Sequence, residues 1–93
     1  MKREKKNNMG RTYELAPTQA QHQKSFYHKA LVREYKDGSR ILFSYGTKIM
    51  RIDSKGNLER FWDSYSATTG KHIKAFSGLN KKGYLALEMG VRR

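Results

Sequence analysis

The sequence predicts an α+β domain: a four-stranded antiparallel meander packed by one helix, with basic, flexible termini. Short runs rich in aromatic and β-branched residues alternate with Gly-containing turns between residues 26 and 63. After Trp62 the hydrophobic period changes from that of a strand to that of a helix. The 93 residues suit a single domain, and although only 37% are apolar, 12% are aromatic and can fill a compact core.

Turn signals divide the predicted sheet. Asp37-Gly38, Gly46 and Gly56-Asn57 supply the positive φ angles that tight hairpins require. Short connections make neighbouring strands antiparallel. Strands are predicted at about 26–36, 39–45, 47–53 and 57–63. Apolar residues occur on both faces of these strands, so both faces are expected to be partly covered.

A helix is predicted after the last strand. Its apolar stripe has spacings of four, four and three: Tyr65, Thr69, Ile73 and Phe76. Ser64 or Ser66 can cap the N-terminus, and Ser77-Gly78 is a stop signal. Gly70 should weaken the helix by about 1 kcal/mol relative to Ala. The segment from Gly83 to Met89 is a candidate edge strand.

Charge divides the chain into three parts. Twenty Lys and Arg against eight Asp and Glu give a net charge of +12. Residues 1–24 hold six Lys or Arg, two Glu and few apolar residues, which predicts a flexible basic arm. Residues 25–78 are predicted to form the sheet-plus-helix domain. Residues 79–93 are predicted to be a basic C-terminal tail or an edge strand.

Several functional classes find no support in the sequence. There is no cysteine, which excludes disulfides and thiolate sites, and no apolar run approaches the roughly 18 residues of a membrane span. The histidines, His22, His28 and His72, lack the spacing to other ligands that a metal site needs. No catalytic motif is present. We therefore expect no enzyme activity, no catalytic or metal-binding residue, no cofactor, no small-molecule substrate, no membrane partner and a cytoplasmic location.

The excess of positive charge predicts a polyanionic partner, either nucleic acid or an acidic protein. The predicted contact residues are all basic: Arg33, Arg40, Arg51, Arg60, Lys71 and Lys74. Aromatic residues interleave with basic ones on the strands: Tyr27, Tyr35, Tyr45 and Trp62. These rings either stack on bases of a single strand or pack within the sheet. A second geometry lays strands in the major groove of a duplex, with Arg33, Arg40 and Arg51 as contacts.

Three segments carry a resemblance to a known group of proteins. They are Ser25-Phe-Tyr-His-Lys-Ala, Ser44-Tyr-Gly-Thr-Lys-Ile and Trp62-Asp-Ser-Tyr-Ser-Ala-Thr-Thr-Gly-Lys-His-Ile-Lys-Ala-Phe. Over roughly residues 25–77 the chain resembles a family of small uncharacterised proteins from phages and prophages of Gram-positive bacteria. The resemblance implies a mobile-element origin and a sheet-plus-helix body. Small phage proteins include regulators, recombination accessories and anti-CRISPR inhibitors.

Charge and resemblance together lead to one functional expectation and two alternatives. The leading expectation is an anti-CRISPR-type inhibitor that binds a nucleic-acid-dependent nuclease, or its guide RNA or DNA, without catalysis. The first alternative is a DNA- or RNA-binding accessory or regulatory protein of a phage or prophage. The second is a structural protein that assembles on nucleic acid as a homo-oligomer. The expected partner is thus nucleic acid or a CRISPR effector ribonucleoprotein, and the oligomeric state stays open.

Overall fold

The structure, a computed structural model, describes residues 9–18, 21 and 25–90. Five strands precede two helices: β1 (Met9–Glu14), β2 (Ala30–Tyr35), β3 (Arg40–Ser44), β4 (Thr47–Ile52), β5 (Leu58–Arg60), α1 (Ala67–Ser77) and α2 (Lys81–Leu85). The strands form one antiparallel sheet in chain order. The predicted α+β class with an antiparallel sheet is confirmed, but the numbers of strands and helices, four and one, are wrong.

The additional strand, β1, lies inside the segment predicted as a basic arm. It pairs with β2, and its Tyr13 side chain packs against the core. The Arg11 guanidinium lies 4.8 Å from the Tyr13 ring centroid and donates to the Glu34 carboxylate at 2.9 Å. The strand escaped sequence analysis because most of its stabilisation is backbone pairing with the free edge of β2, which composition does not record. Beyond β1, Leu15 packs against the core and the Gln21 side-chain amide donates to the Lys71 carbonyl at 2.9 Å. Residues 1–8, 19, 20 and 22–24 of the predicted arm, His22 among them, lie outside the described residues.

Helix α1 begins and ends near the predicted signals. Ser66 is the N-cap, and its side chain accepts from the Thr69 amide at 3.1 Å. Gly78 is the C-cap, with a φ of 83° and an amide that donates to the Lys74 carbonyl at 2.8 Å. Tyr65 therefore lies before the helix, not on its stripe.

Helix α2 corrects the prediction for residues 79–93. Asn80 caps it by accepting from the Gly83 amide at 2.8 Å. Its Tyr84 is fully buried, and the phenol donates to the Trp62 carbonyl at 2.7 Å. The described apolar residues of this segment thus mostly follow a helical turn, and among them Met89 forms a bridge to the sheet, parallel to Arg60. Residues 91–93, part of the predicted tail, lie outside the described residues.

The core lies between the helices and one face of the sheet, which we call the covered face. Its buried side chains share the register positions of Ala30 and Val32 in β2, Leu42 and Ser44 in β3, and Met50 in β4. Ile73 and Phe76 of α1 and Tyr84 of α2 pack against them. Within the described residues, both helices lie on this face alone. The other face has no helix over it there, yet its Ile41 is only 8% exposed, so partial cover of both faces stays a prediction. No described helix is long and apolar enough to cross a membrane.

Candidate nucleic-acid interface

The other face of the sheet, which we call the open face, has no helix over it among the described residues. Its side chains occupy the register positions that alternate with those of the covered face. The open face consists of Thr12, Glu14, Leu31, Arg33, Tyr35, Ile41, Phe43, Lys48, Arg51, Glu59 and Phe61. It therefore combines aromatic, aliphatic and cationic groups on one flat surface.

Two cations of the open face lie over aromatic rings. The Arg33 guanidinium carbon is 4.7 Å from the Phe43 ring centroid, and the Lys48 ammonium is 4.3 Å from that of Phe61. Phe43 and Phe61 are half-buried. The Arg33 Nε is buried and has no hydrogen-bond partner in the described part of the chain. An unpaired buried donor is unfavourable, so this arginine side chain is less well satisfied than its neighbours.

A β-bulge places Lys48 on this face. Leu42 pairs with Met50, but the next residue, Phe43, pairs with Lys48, so Ile49 is an extra residue on β4. Without the bulge, Lys48 would share the covered face with Met50, because residues two apart in a strand point the same way. The bulge therefore brings a second cation beside the aromatic residues, and no sequence signal in β4 marks it.

The open face is electrostatically uneven. Arg51 donates to the Glu59 carboxylate at 3.1 Å, whereas Arg33 and Lys48 form no ion pair with any described residue. The Asp37 and Asp53 carboxylates lie in the two hairpins at one end of the sheet. Hydrogen bonds from Ser39 lower the pKa of Asp37, and those from Asn57 lower the pKa of Asp53. Both acids stay ionised at neutral pH. The opposite end carries Lys48 and also an acid, Glu14, which lies in the same cross-strand row.

The six predicted contact residues do not form one site. Arg33 and Arg51 lie on the open face. Lys71 and Lys74 are exposed on the outer side of α1, beyond the covered face. These four residues therefore lie on two separate surfaces. The other two predicted contact residues, Arg40 and Arg60, lie on neither.

Arg40 and Arg60 lie on the covered side. The Arg40 guanidinium carbon is 5.6 Å from the Phe76 ring centroid. The Arg60 guanidinium donates to three backbone carbonyls, those of Leu87 at 2.8 Å, Leu85 at 3.3 Å and Trp62 at 3.4 Å. Arg60 therefore joins β5 to the chain that follows α2.

The aromatic residues of the open face were mostly missed. Of the four rings singled out from the sequence, only Tyr35 lies there; Tyr27 and Tyr45 are in turns, and Trp62 follows β5. Phe43 and Phe61 take their place. Strict alternation from Ile41 to Phe43 was a usable signal for Phe43, whereas Phe61 lies beyond the three-residue β5 and has no such pattern.

The open face continues into a groove of about 720 Å³ at the β4–β5 edge, which we call the edge groove. Lys48 and Phe61 belong to both surfaces. Trp62 and Met89 line the far side, and Met89 is 46% exposed. The groove therefore extends the mixture of cation and aromatic rings around the edge of the sheet, and it also contains an acid, Asp63.

A buried serine–histidine pair lies on the covered face. Ser44 Oγ is 2.8 Å from His72 Nδ1 and 3.0 Å from Thr69 Oγ1. Ser44 and His72 are each 2% exposed, and Ser44 also lines a small cavity together with Thr69 and Trp62. Burial, and then the charge of Lys71, lower the pKa of His72. The pair is a satisfied polar network of the core. Among the described residues, no group of three His, Asp or Glu side chains could hold a metal ion.

The comparisons place the chain in one family. Neither a curated protein nor a solved structure matches it. The model of a family of unknown function, DUF8033, matches residues 13–86, a segment that runs from β1 to the end of α2. That description mentions neither phages nor CRISPR inhibition, so a mobile-element origin stays a prediction. Since the match covers most of its length, this chain belongs to the family of unknown function DUF8033.

Proposed function

We propose that this protein binds single-stranded nucleic acid through the open face, without catalysing a reaction. The observation that supports the proposal best is the pairing of unbridged cations with aromatic rings on an uncovered sheet face. Arg33 lies over Phe43 and Lys48 over Phe61, and neither cation forms an ion pair with a described residue. This combination suits a ligand that carries both phosphates and flat bases.

The binding energy would come from two sources. Arg33 and Lys48 would contact phosphates, releasing condensed counterions. Bases would stack on Tyr35, Phe43, Phe61 or the plane of the Arg33 guanidinium, at about 1–3 kcal/mol per base. Stacking of this kind tolerates any base, so the proposal includes affinity for single strands with little sequence preference.

A single strand suits this geometry better than the major groove of a duplex. Contact with the major groove through Arg33, Arg40 and Arg51 would require the three arginines on one surface. Arg40, however, lies on the covered side, beside Phe76. The five-stranded sheet is also wider than the two-stranded ribbon that the groove admits. Aromatic rings on a broad sheet are instead suited to unpaired bases.

Direct binding measurements test the proposal. Fluorescence anisotropy of labelled single-stranded DNA, single-stranded RNA and a duplex of matching sequence would be followed across a salt series. We expect both single strands to bind more tightly than the duplex. The logarithm of the association constant should fall by about 0.7 per phosphate contact for each tenfold rise in salt. Equal or tighter binding of the duplex would contradict the proposal.

A second candidate is the inhibitor of a nucleic-acid-dependent nuclease expected from the resemblance. The observation that favours it is the helical layer, in which residues 64–87 contain no acid but four lysines: Lys71, Lys74, Lys81 and Lys82. All four are exposed. Such a surface is complementary to an acidic protein patch. Nucleic-acid binding seen only at low salt, together with capture by a purified CRISPR effector nuclease, would favour this candidate over the first.

A further inference from the structure

Two tyrosines near one end of the sheet have unusual backbone conformations. Among the described residues, positive φ angles outside glycine occur at Tyr27 (51°), His28 (66°) and Tyr45 (52°). Tyr27 and His28 form one turn, closed by the Lys29 amide donating to the Phe26 carbonyl at 2.9 Å. Tyr45 and Gly46 form the β3–β4 hairpin turn, and the Tyr45 amide donates to the Lys29 carbonyl at 2.8 Å. The two turns are therefore neighbours.

The Tyr45 ring has contacts within the fold: its centroid lies 5.9 Å from that of His72 and 5.8 Å from the Lys29 ammonium. Such turns favour Asn or Gly, since a left-handed conformation is unfavourable for a bulky residue. Burial does not compensate, because Tyr27 is 64% exposed and Tyr45 is 56% exposed. Exposed residues in strained conformations concentrate at functional sites. More than half of Tyr45 stays exposed despite these contacts, so it is available to a ligand.

A cavity of about 300 Å³ distinguishes Tyr45 from Tyr27. Tyr45 and Trp62 supply aromatic walls, and Thr47, Ser66 and Thr68 supply hydroxyls around it. In the described part of the chain, the Thr47 and Thr68 hydroxyls have no hydrogen-bond partner. Each hydroxyl both donates and accepts, so together they can satisfy the polar edge of a flat heterocycle. Tyr27 does not line this cavity.

The cavity adjoins the proposed nucleic-acid surface. Thr47 and Trp62 line both this cavity and the edge groove, and Lys48 and Phe61 connect that groove to the open face. A strand that follows the open face to this edge therefore meets the cavity next. Its volume is at the lower end of the range for small-ligand sites, which suits one ring system better than a larger molecule.

We infer that the cavity beside Tyr45 binds a single nucleobase, stacked against Tyr45 or Trp62 and hydrogen-bonded by the surrounding hydroxyls. The inference rests on the proposed function, because it assigns this cavity to one base of the bound strand. The strained turn at Tyr45 presents the ring at the mouth of the cavity. The hydroxyls adapt to any base edge, so this site adds affinity and little sequence preference.

Trp62 provides a direct signal, since it is the one tryptophan of the chain and lines the cavity. The experiment titrates the protein with a mononucleotide, thymidine monophosphate, and with an oligothymidylate about eight nucleotides long, while recording Trp62 fluorescence. Three variants are compared with the unaltered chain. Tyr45→Asn removes the ring and suits the left-handed turn, Tyr27→Asn makes the same change at the neighbouring turn, and Arg33→Gln alters the open face.

We expect a saturable change in Trp62 fluorescence with the mononucleotide, lost in Tyr45→Asn and kept in Tyr27→Asn and Arg33→Gln. Oligothymidylate affinity should fall about tenfold in Tyr45→Asn, the equivalent of one stacked base. Thermal melts identify any variant that fails to fold, and Tyr45→Phe, which keeps the ring, should retain mononucleotide binding.

The two proposals fail in different ways. Oligothymidylate binding that responds to Arg33→Gln but not to Tyr45→Asn, with no mononucleotide signal, would overturn the cavity assignment and leave the open face standing. Mononucleotide binding without oligonucleotide binding would overturn the proposed function and leave the cavity as a nucleotide site. Equal effects of Tyr27→Asn and Tyr45→Asn would also overturn the cavity assignment.

Discussion

The side chain of Tyr65 lies directly over Gly70, one turn into helix α1. A Cβ atom on Gly70 would overlap the Tyr65 hydroxyl and the ring carbons beside it. Tyr65 precedes the N-cap Ser66, and Gly70 is the fourth helical residue, so the two occupy the positions of a hydrophobic staple. The Tyr65 ring continues to Tyr84 of α2, at 6.1 Å between centroids. Gly70 has a low helix propensity, but its missing side chain leaves room for the Tyr65 ring, which joins the two helices.

Gly70→Ala is therefore expected to destabilise the domain, although alanine is the better helix former. The gain in propensity is about 1 kcal/mol, and displacing the Tyr65 ring should cost about 1–3 kcal/mol. Urea denaturation gives the free energy of unfolding. In the double variant Tyr65→Ala/Gly70→Ala, alanine at residue 70 should be neutral or stabilising relative to Tyr65→Ala alone. A single variant Gly70→Ala that is more stable than the original would show that the ring moves away freely.

Arg60 was predicted to contact a partner, but its bonds suggest a structural role. Arg60→Gln removes charge-assisted hydrogen bonds to the carbonyls of Leu85 and Leu87, and should lower the free energy of unfolding by about 2 kcal/mol. Lys74→Gln is the matched control, because it also removes one charge but from an exposed position. Its stability should change by less than about 0.5 kcal/mol. Equal thermal midpoints for the two variants would contradict the structural role of Arg60.

His72 should make stability depend on pH just below neutrality. In the unfolded chain the imidazole takes up a proton as pH falls through about 6.5. Burial lowers the pKa of His72 in the folded state, so folding opposes that uptake. The free energy of unfolding should therefore fall as pH drops from 6.5 toward the lower, folded-state pKa. The free energy of unfolding, measured by urea denaturation between pH 7 and about 5, should depend less steeply on pH in His72→Gln than in the original chain. An equal dependence on pH would mean that His72 takes up its proton without destabilising the fold.

Tyr84 should limit stability at alkaline pH. Burial raises its pKa to about 12 from an ordinary value of 10.0. The unfolded chain therefore loses the phenolic proton first, and the free energy of unfolding should fall as pH rises above 10. Tyr84→Phe should cost about 1 kcal/mol at neutral pH, since it removes the hydrogen bond to the Trp62 carbonyl. Above pH 10 the difference in the free energy of unfolding between the original chain and Tyr84→Phe should narrow. A difference that stays constant would contradict a raised pKa for Tyr84.

The local signals in the sequence were sufficient for the meander and for helix α1. Turn glycines at residues 38, 46 and 56 all have positive φ angles, and Ser66 and Gly78 cap the helix. Features that depend on tertiary contacts were not predictable in this way. Strand β1 forms because β2 offers a free edge, and α2 forms because Tyr84 reaches the carbonyls of Ile49 and Trp62.

The candidate interface was predictable only in part, for a similar reason. Charge predicted all four strand arginines as contact residues. It did not distinguish Arg33 and Arg51, on the open face, from Arg40 and Arg60, which lie on the other face. The bulge at Ile49 placed Lys48 on the open face, contrary to simple alternation. The side on which an arginine lies follows from the register, and the register includes a bulge that only the folded sheet reveals.

Single strands are proposed to bind the open face specifically, and not any positively charged surface of the protein. The most direct test compares two double variants that lose the same charge from opposite sides of the molecule. Arg33→Gln/Lys48→Gln alters the open face, and Lys71→Gln/Lys74→Gln alters the outer side of α1. Thermal melts of both, recorded first, establish that each is folded.

The measurement is the affinity for labelled single-stranded DNA across a salt series. For Arg33→Gln/Lys48→Gln we expect affinity at least about tenfold weaker, with a salt slope shallower by about 1.4, since both cations contact phosphates in the proposed complex. For Lys71→Gln/Lys74→Gln we expect a change of less than about twofold. Equal losses in the two folded variants, or a larger loss in the helix variant, would contradict binding at the open face.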